Sequence, residues 1–368
     1  MFKFLNLKPE TFGLDINDSS FKVIKLRKKR GFLQPVSYNE KDIASGIIKD
    51  GIIKDENAFV KNIKDLLAGV KGEKLRTKYV VASLPEEKSF SQVIQMPKME
   101  KEELKSAVVF EAENYIPLPA DQMYLDFQVI DPIVDHLDHL DVLIVAIEKT
   151  IVDSYVSCFK KSGLIPLAFE VETQAIARAL VEGETSLAPL VLIDFGGDST
   201  DFIVFSGNSI RFTCSIPVSS QQITEAISKE LGIGPKEAEK VKLKYGVGKE
   251  KSDSKSVAVS KIAGSVLEGL AVEVKKYLNF YLDHDFHQHL PQKTAVKKII
   301  LSGGGADLKG IDEFLKLKLK IPVEFGNPWV NFPAGSKKFL IPEVQKKSLS
   351  FVTALGLALR EPDPEING

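Results

Sequence analysis

Apolar and polar positions along the chain first pick out paired strands that meet at glycine- or hydroxyl-rich turns. Leu192–Phe205, LIDFGGDSTDFIVF, reads as a buried strand ending at Asp194, a turn with Gly196, Gly197, Ser199 and Thr200, and a return strand begun by Asp201. Phe12–Leu26, FGLDINDSSFKVIKL, repeats that layout with Asp15, a polar turn holding Asn17, Ser19 and Ser20, and an alternating strand through Phe21, Val23 and Ile24. A third apolar run, from Ile299, leads into Gly303, Gly304 and Gly305 and then a helix.

Between these stretches the pattern predicts a helix over Glu56–Ala68, with Phe59, Ile63, Leu66 and Leu67 on its apolar face, and a buried strand over Tyr79–Leu84. From Pro85 to about Ile165 the chain reads as an inserted subdomain. It has a strand ending at Met96–Pro97, a helix over 100–114 stopped by the prolines of YIPLP, strands at Tyr124–Ile130 and Val142–Ile147, and a helix ending near Ser162 with Gly163 as its cap. Leu167–Leu180 runs from strand into helix. Ile210–Pro217 is a strand, Gln221–Leu231 a helix, and Pro235 starts the next. Gly246–Lys255 reads as mobile and Ser260–Phe280 as a long amphipathic helix. Trp329 falls in a packed irregular loop, and Ser348–Arg360 is a helix with small residues at Ala354, Gly356 and Ala358. A short repeat, GIIKD at Gly46 and again at Gly51, reads as a loop before the helix at Glu56.

Composition narrows the class. A chain of 368 residues has room for two cores. A net charge of −1 gives no ground for a nucleic-acid partner. Cys158 and Cys214 lie far apart, which points to a reduced, cytoplasmic setting. No apolar run approaches membrane-spanning length, and MFKFLNLKPE does not read as a signal peptide. Lys22–Arg30 carries six basic residues. They read as a solvated turn after the second strand or, more sharply, as an attraction to an anionic membrane surface. His136 and His139 in DHLDHLD, and His284, His287 and His289, could ligate a metal. The plainer reading of both is an exposed polar loop.

The two hairpin turns suit a polyphosphate. Positive φ at Gly196 and Gly197 would expose backbone N–H groups, the hydroxyls of Ser199 and Thr200 would add donors, and a carboxylate would hold magnesium through water. One such turn alone is equally well an ordinary hairpin. Two of the same design suggest a duplicated domain whose turns face each other.

In order and separation, the three stretches resemble the two phosphate loops and the adenosine loop of the actin superfamily, which includes actin, heat-shock chaperones, sugar kinases and the division protein FtsA. The segment MPKMEKEELKSAVVFEAENYIPLPADQMYLDFQVI resembles the insertion of the PilM family, cytoplasmic actin-like proteins of type IV pilus assembly, and the resemblance extends from Phe12 to Arg360. It implies an α/β, actin-like (ribonuclease H-like) two-domain fold. Domain I would hold 1–190 and 345–368 with an FtsA-type inserted subdomain at about 85–165; domain II would hold 191–344 with an inserted helical subdomain at about 219–290.

The resemblance also implies ATP with Mg2+. Asp15 and Asp194 would hold the metal through water. Glu172 and Asp194 would carry any catalysis, although Glu172 is also a plain helix-starting Glu. Asn17, Ser19, Ser20, Gly196, Gly197, Ser199 and Thr200 would hold the phosphates, and Gly303, Gly304 and Gly305 the adenosine. Glu239 and Lys242 would face the ribose and base, or else belong to a solvated charged helix. Two departures bear on turnover. Asn17 stands where the family has glycine, a residue tolerated in left-handed backbone. Neither loop carries a lysine beside its carboxylate, since Lys22 points away if Phe21 is core. Binding with at most slow ATP hydrolysis is the expectation. The implied partner is the cytoplasmic N-terminal segment of a PilN-like inner-membrane protein, held in a groove between the inserted subdomain and domain I. The chain would then sit peripherally at the inner membrane within the pilus assembly platform, with homo-oligomers possible. The alternatives are an FtsA-like membrane-associated filament protein, against which the tail EPDPEING lacks an amphipathic anchor, a small-molecule kinase, and the actin-like part of a type II secretion protein.

Overall fold

A computed structural model describes residues 9–116, 118–131, 138–248, 253–284 and 295–360. His136, His287, His289 and the EPDPEING tail therefore lie outside the described residues.

The first half opens with β1 (Phe12–Ile16), β2 (Ser20–Lys29) and β3 (Phe32–Asp42) as an antiparallel meander. The small β4 (Ile48–Lys49) and β5 (Ile52–Ile53), α1 (Glu56–Ala68), β6 (Lys71–Gly72) and β7 (Tyr79–Leu84) follow. Then come β8 (Ser89–Pro97), α2 (Lys101–Ala112), β9 (Met123–Ile130) and β10 (His139–Glu148), and after them α3 (Lys149–Lys161), β11 (Ile165–Val171) and α4 (Glu172–Leu180). The second half has β12 (Ser186–Phe195), β13 (Thr200–Gly207), β14 (Ser209–Ile216), α5 (Ser220–Leu231), α6 (Pro235–Tyr245), α7 (Ser254–Asp283), β15 (Lys298–Ser302), α8 (Ile311–Leu319) and β16 (Val323–Phe325). α9 (Pro342–Lys346) and α10 (Val352–Leu359) close it.

Two sheets share one plan. The first runs β3-β2-β1-β7-β11, with β6 outside β3, and the second runs β14-β13-β12-β15-β16. In each, the first three strands pair antiparallel and the last two add in parallel. The match extends to single residues. Asp15 sits opposite Lys22 on β1–β2, and Asp194 sits opposite Asp201 on β12–β13.

α1 and α3 cover one face of the first sheet, burying Phe21, Phe59, Ile63, Ile151 and Tyr155. α5, α6, α7 and α8 cover one face of the second. α4 and α10 lie between the sheets. Ile176 and Leu180 pack on Leu192 and Ile203, while Leu355 packs beside Ile24. Glycine makes this crossing possible: a Cβ on Gly356 would lie 1.9 Å from the Ala175 carbonyl oxygen, and one on Gly13 2.3 Å from that of Ala354. Burying apolar faces on both sides of a sheet gives this layered arrangement its stability.

The inserted strands form their own sheet, β8-β10-β9, with α2 packed on it through Leu104, Val108 and Ala112. That sheet reaches the second half through a buried ion pair, Arg211 Nη1 to Asp141 Oδ2 at 2.8 Å.

Several expectations are corrected here. The basic run is not a turn: Lys22 through Lys29 lie in β2, and only Arg30 and Gly31 turn, with φ of 52° and 84°. Three of its charges are paired, Lys22 with Asp15 at 3.5 Å, Lys25 with Glu10 at 2.5 Å and Arg27 with Glu73 at 2.6 Å. Of the polar segment read as mobile, residues 249–252 lie outside the described residues, while Asp253 caps α7 through Ser256 and the helix takes in Ser254 and Lys255. The GIIKD repeat folds as the β4–β5 hairpin. The last helix begins as a tight turn over Ser348–Phe351 before α10.

Candidate functional site

The two hairpin turns face each other across a cleft: a Cβ on Gly197 would lie 2.9 Å from Ser19 Oγ of the other loop. At the floor stand the carboxylates that end or begin the strands. Ser302 Oγ donates to Asp194 Oδ1 at 2.6 Å, from the strand beside it. In the matching place of the first sheet, Ser83 Oγ accepts from the Ile16 N–H at 2.8 Å and also hydrogen-bonds Asp15. Asp15 and Asp201 are sealed, 3% and 5% exposed, while Asp194 and Glu172 keep a surface that a solvent-sized atom reaches. All four titrate high. Burial raises Asp15 against the pull of Lys22. Burial, then the neighbouring Asp201, lifts Glu172 well above the carboxylate range. Asp201 is likewise pushed well up by burial, then by Glu86 and Asp194; Asp194 is raised by burial to about 6. Asp201 Oδ1 has no hydrogen-bond partner among the described residues.

One cation enters this acidic floor. Lys22 Nζ lies 3.5 Å from Asp15 Oδ2 and donates to Ser20 Oγ at 3.1 Å. This overturns the reading that Lys22 points away. Phe21 does face the core, but strand residues alternate, so Lys22 takes the opposite face, where its register partner Asp15 also points. Burial opposes its charge, but Asp15, Glu40 and Asp194 hold its pKa up. The register of this short hairpin was available from the sequence and identifies Lys22, whereas Ser83 and Ser302 come from parallel strands remote along the chain.

Lys22→Met leaves Asp15 buried and unpaired, at a cost of about 3–5 kcal/mol near neutral pH. The loss should shrink on acidification, as Asp15 takes a proton. Thermal unfolding of both proteins from pH 5 to 8 checks this; an equal loss at both ends would refute the pairing.

The loop residues are held differently from the expectation. Gly196 and Gly197 do not have positive φ. Glycine is required there by space, since a Cβ on Gly196 would meet the Ser199 carbonyl oxygen at 2.7 Å. Asn17 is not left-handed either. Its Oδ1 accepts from the Ser20 N–H at 2.8 Å and from the Ser19 N–H at 3.3 Å, closing the turn by its side chain. The hydroxyls of Ser19 and Ser20 also donate to it, at 3.3 and 3.2 Å. Thr200 is fully buried and its hydroxyl donates to the Val218 carbonyl, so it braces the loop from inside. Ser199 stays half-buried at the turn.

Of the three glycines after β15, Gly303 has φ 90° and would strike the Phe195 carbonyl oxygen at 2.4 Å, and Gly305 would strike the Phe195 ring at 2.5 Å. Gly304 alone has open space, with Ser350 Cβ nearest at 3.8 Å. Glu239 and Lys242 share a face that is solvated at Glu239, whose side chain is 42% exposed, and closed off at Lys242. Lys242 is buried, and its amine donates to Ser220 Oγ at 2.7 Å and Thr224 Oγ1 at 2.9 Å and pairs with Glu239 at 2.7 Å. It holds the start of α5, the helix that follows the second loop, and burial lowers its pKa. His139 sits between Asp138 and Asp141 at 2.7 and 3.6 Å, and His284 stacks on Phe280 at 4.0 Å.

The comparisons with known proteins agree with this layout. The family model "Type IV pilus assembly protein PilM" matches residues 13–362. The solved PilM–PilN type IV pilus biogenesis complex is 26% identical and aligns over 97% of this chain and 100% of that chain, with a TM-score of 0.80. MreB5 of Spiroplasma citri bound to AMPPNP, 15% identical over 94% of either chain with a TM-score of 0.55, shares the fold. Cell division protein FtsA of Neisseria meningitidis serogroup B is 25% identical over 59% of this chain and 58% of its own length. FtsA of Helicobacter pylori J99 is 26% identical over 55% and 44%. The chain thus spans about half the length of these curated relatives. With one actin-like plan built twice, an inserted three-stranded sheet, and a family match reaching from the first strand past the last helix, the chain belongs to the PilM family of type IV pilus assembly proteins.

Proposed function

We propose that the chain is an ATP-binding adaptor of the pilus inner-membrane platform, which takes ATP–Mg2+ between its two loops and holds the cytoplasmic N-terminal segment of a PilN-like protein. The single observation that carries the nucleotide reading is the floor of the cleft, where two loops face each other over one lysine and four carboxylates, one with an orphaned oxygen. An acidic floor repels bare phosphates, so a divalent cation is needed to reconcile the two. Among the described residues no three His, Cys, Asp or Glu side chains stand ready to hold a metal, so such an ion would also need phosphate and water oxygens. Asp194, with Asp15 behind it, would hold the hydrated ion, and Lys22 and the loop N–H groups would meet the phosphates. Gly196, Gly197, Ser19, Ser20 and Ser199 would shape the loops, and Gly304 would leave room beside the nucleoside.

Burial, then the neighbouring Asp201, raises Glu172 well above the ordinary carboxylate range, which disfavours the charged form that a general base needs. Turnover is therefore slow in this reading. The partner reading rests on the likeness to the PilM–PilN complex. No helix among the described residues is long and apolar enough to cross a membrane, so a partner would supply the attachment.

Calorimetric titration of a synthetic PilN-like N-terminal segment into the protein tests the adaptor role. Saturable binding is expected; absence of heat with and without ATP–Mg2+ removes it. The filament reading has the FtsA relatives behind it, and sedimentation with ATP on lipid vesicles decides it.

A further inference from the structure

The GIIKD repeat has no part in the cleft as described. Its two copies do different local work: Asp55 caps α1 through the Ala58 N–H, while Asp50 and Gly51, with φ of 50° and 72°, form the two-residue turn of the β4–β5 hairpin. The backbone of that turn is held at both N–H groups and at the Gly51 carbonyl, while the Asp50 side chain faces solvent. Asp18, in the first loop, accepts from the Asp50 N–H at 2.6 Å with one oxygen and from the Gly51 N–H at 3.0 Å with the other. The Gly51 carbonyl accepts from the buried Tyr155 hydroxyl of α3 at 2.9 Å. A Cβ on Gly51 would lie 2.5 Å from Pro85.

Pro85 begins the segment that leads from β7 into the inserted sheet, and α3 is the helix that leaves it. The turn is thus wedged between the first loop and both chain crossings to the inserted subdomain. A second line of contact runs parallel. Phe21 of β2 packs edge-on to Phe59 at 5.1 Å, and Phe59 to Tyr155 at 5.9 Å. Close-packed groups without free volume move together.

We propose that the Asp50–Gly51 turn couples the position of the first loop to the root of the inserted subdomain, with Asp18 and Tyr155 as positioning residues. Its meaning for nucleotide sensing rests on the reading of the cleft given above. When a ligand displaces the Asn17 side chain from the Ser19 and Ser20 N–H groups, the neighbouring Asp18 shifts, and the turn cannot follow without displacing Pro85 or the Tyr155 hydroxyl. The two Gly51 faces make this a tight linkage, and the repeat supplies the residues that permit a left-handed pair at the turn.

Hydrogen–deuterium exchange on the full chain tests the link in two arms. Without nucleotide, Asp18→Ala should speed exchange about tenfold in the hairpin and also in β8 and the first turns of α3. A loosened hairpin beside unchanged β8 and α3 overturns the proposal. With saturating ATP–Mg2+, the wild type should show slowed exchange in the first loop and in the inserted sheet. Tyr155→Phe should keep the first effect, with ATP affinity within about twofold of wild type, and lose the second. Slowing that persists in the inserted sheet of Tyr155→Phe also overturns it. If ATP–Mg2+ slows exchange nowhere in the wild type, the nucleotide reading falls, and the first arm still decides the link.

Discussion

If the proposed reading of the cleft holds, Asp194→Ala is expected to remove ATP–Mg2+ binding, with affinity falling about 100-fold or more in calorimetric titration. Asp194, like Glu172, is a floor residue that is only partly buried, and Ser302 Oγ donates to its Oδ1 at 2.6 Å. Its burial has a pH consequence. With its pKa raised from 3.8 to about 6, the carboxylate is charged and ready for a cation above that pH. Below it a proton must leave first, so affinity should fall by about tenfold per pH unit. For the nucleotide-free protein the sign is opposite. The folded state holds this proton more tightly than the unfolded chain, so the stabilisation is complete below about pH 4 and is lost as the pH rises through 6. Asp194→Asn removes that slope. Titrations from pH 5 to 8, with unfolding curves at the same pH values, measure both effects. A variant affinity within about threefold of wild type would place the nucleotide elsewhere.

Gly356→Ala unfolds the contact between α10 and α4. The added carbon would lie 1.9 Å from the Ala175 carbonyl oxygen, and backbone, unlike a flexible side chain, cannot rotate out of the way. The helices must separate, and α10 also lies on Gly13 of β1, so the strain passes into the first sheet. Overpacking of this kind costs at least about 3 kcal/mol, and a chain of 368 residues loses about 1.3 °C of Tm per kcal/mol, so a drop of about 4 °C or more is expected in differential scanning calorimetry. Gly304→Ala, which has open space around it, serves as the contrast and should move Tm by less than about 2 °C. Equal effects of the two would mean that the crossing is not what the glycine at 356 serves.

Much of this protein is decided within short stretches of chain. Alternation through Phe21, Val23 and Ile24, the acid at each strand end and the polar turns after Asp15 and Asp194 set the two hairpins, because strand period and turn chemistry act over a few residues. Small residues at 354, 356 and 358 mark a close helix crossing for the same reason. The length and spacing of the apolar runs place most strands and helices, but not β3, the short β4, β5, β6 and β16, or α9. What the tertiary structure alone decided is which groups meet. Ser302 reaches Asp194 because β15 pairs in parallel with β12, 108 residues away along the chain. Lys242 leaves solvent for Ser220 and Thr224 because α6 packs on the start of α5. Gly197 must be glycine because Ser19 approaches from a loop remote in sequence. Arg211 pairs with Asp141, 70 residues earlier, and Tyr155 bonds Gly51 across 104. Each of these depends on distance in space between segments whose separation along the chain carries no signal, so charge and burial there follow from the assembled fold.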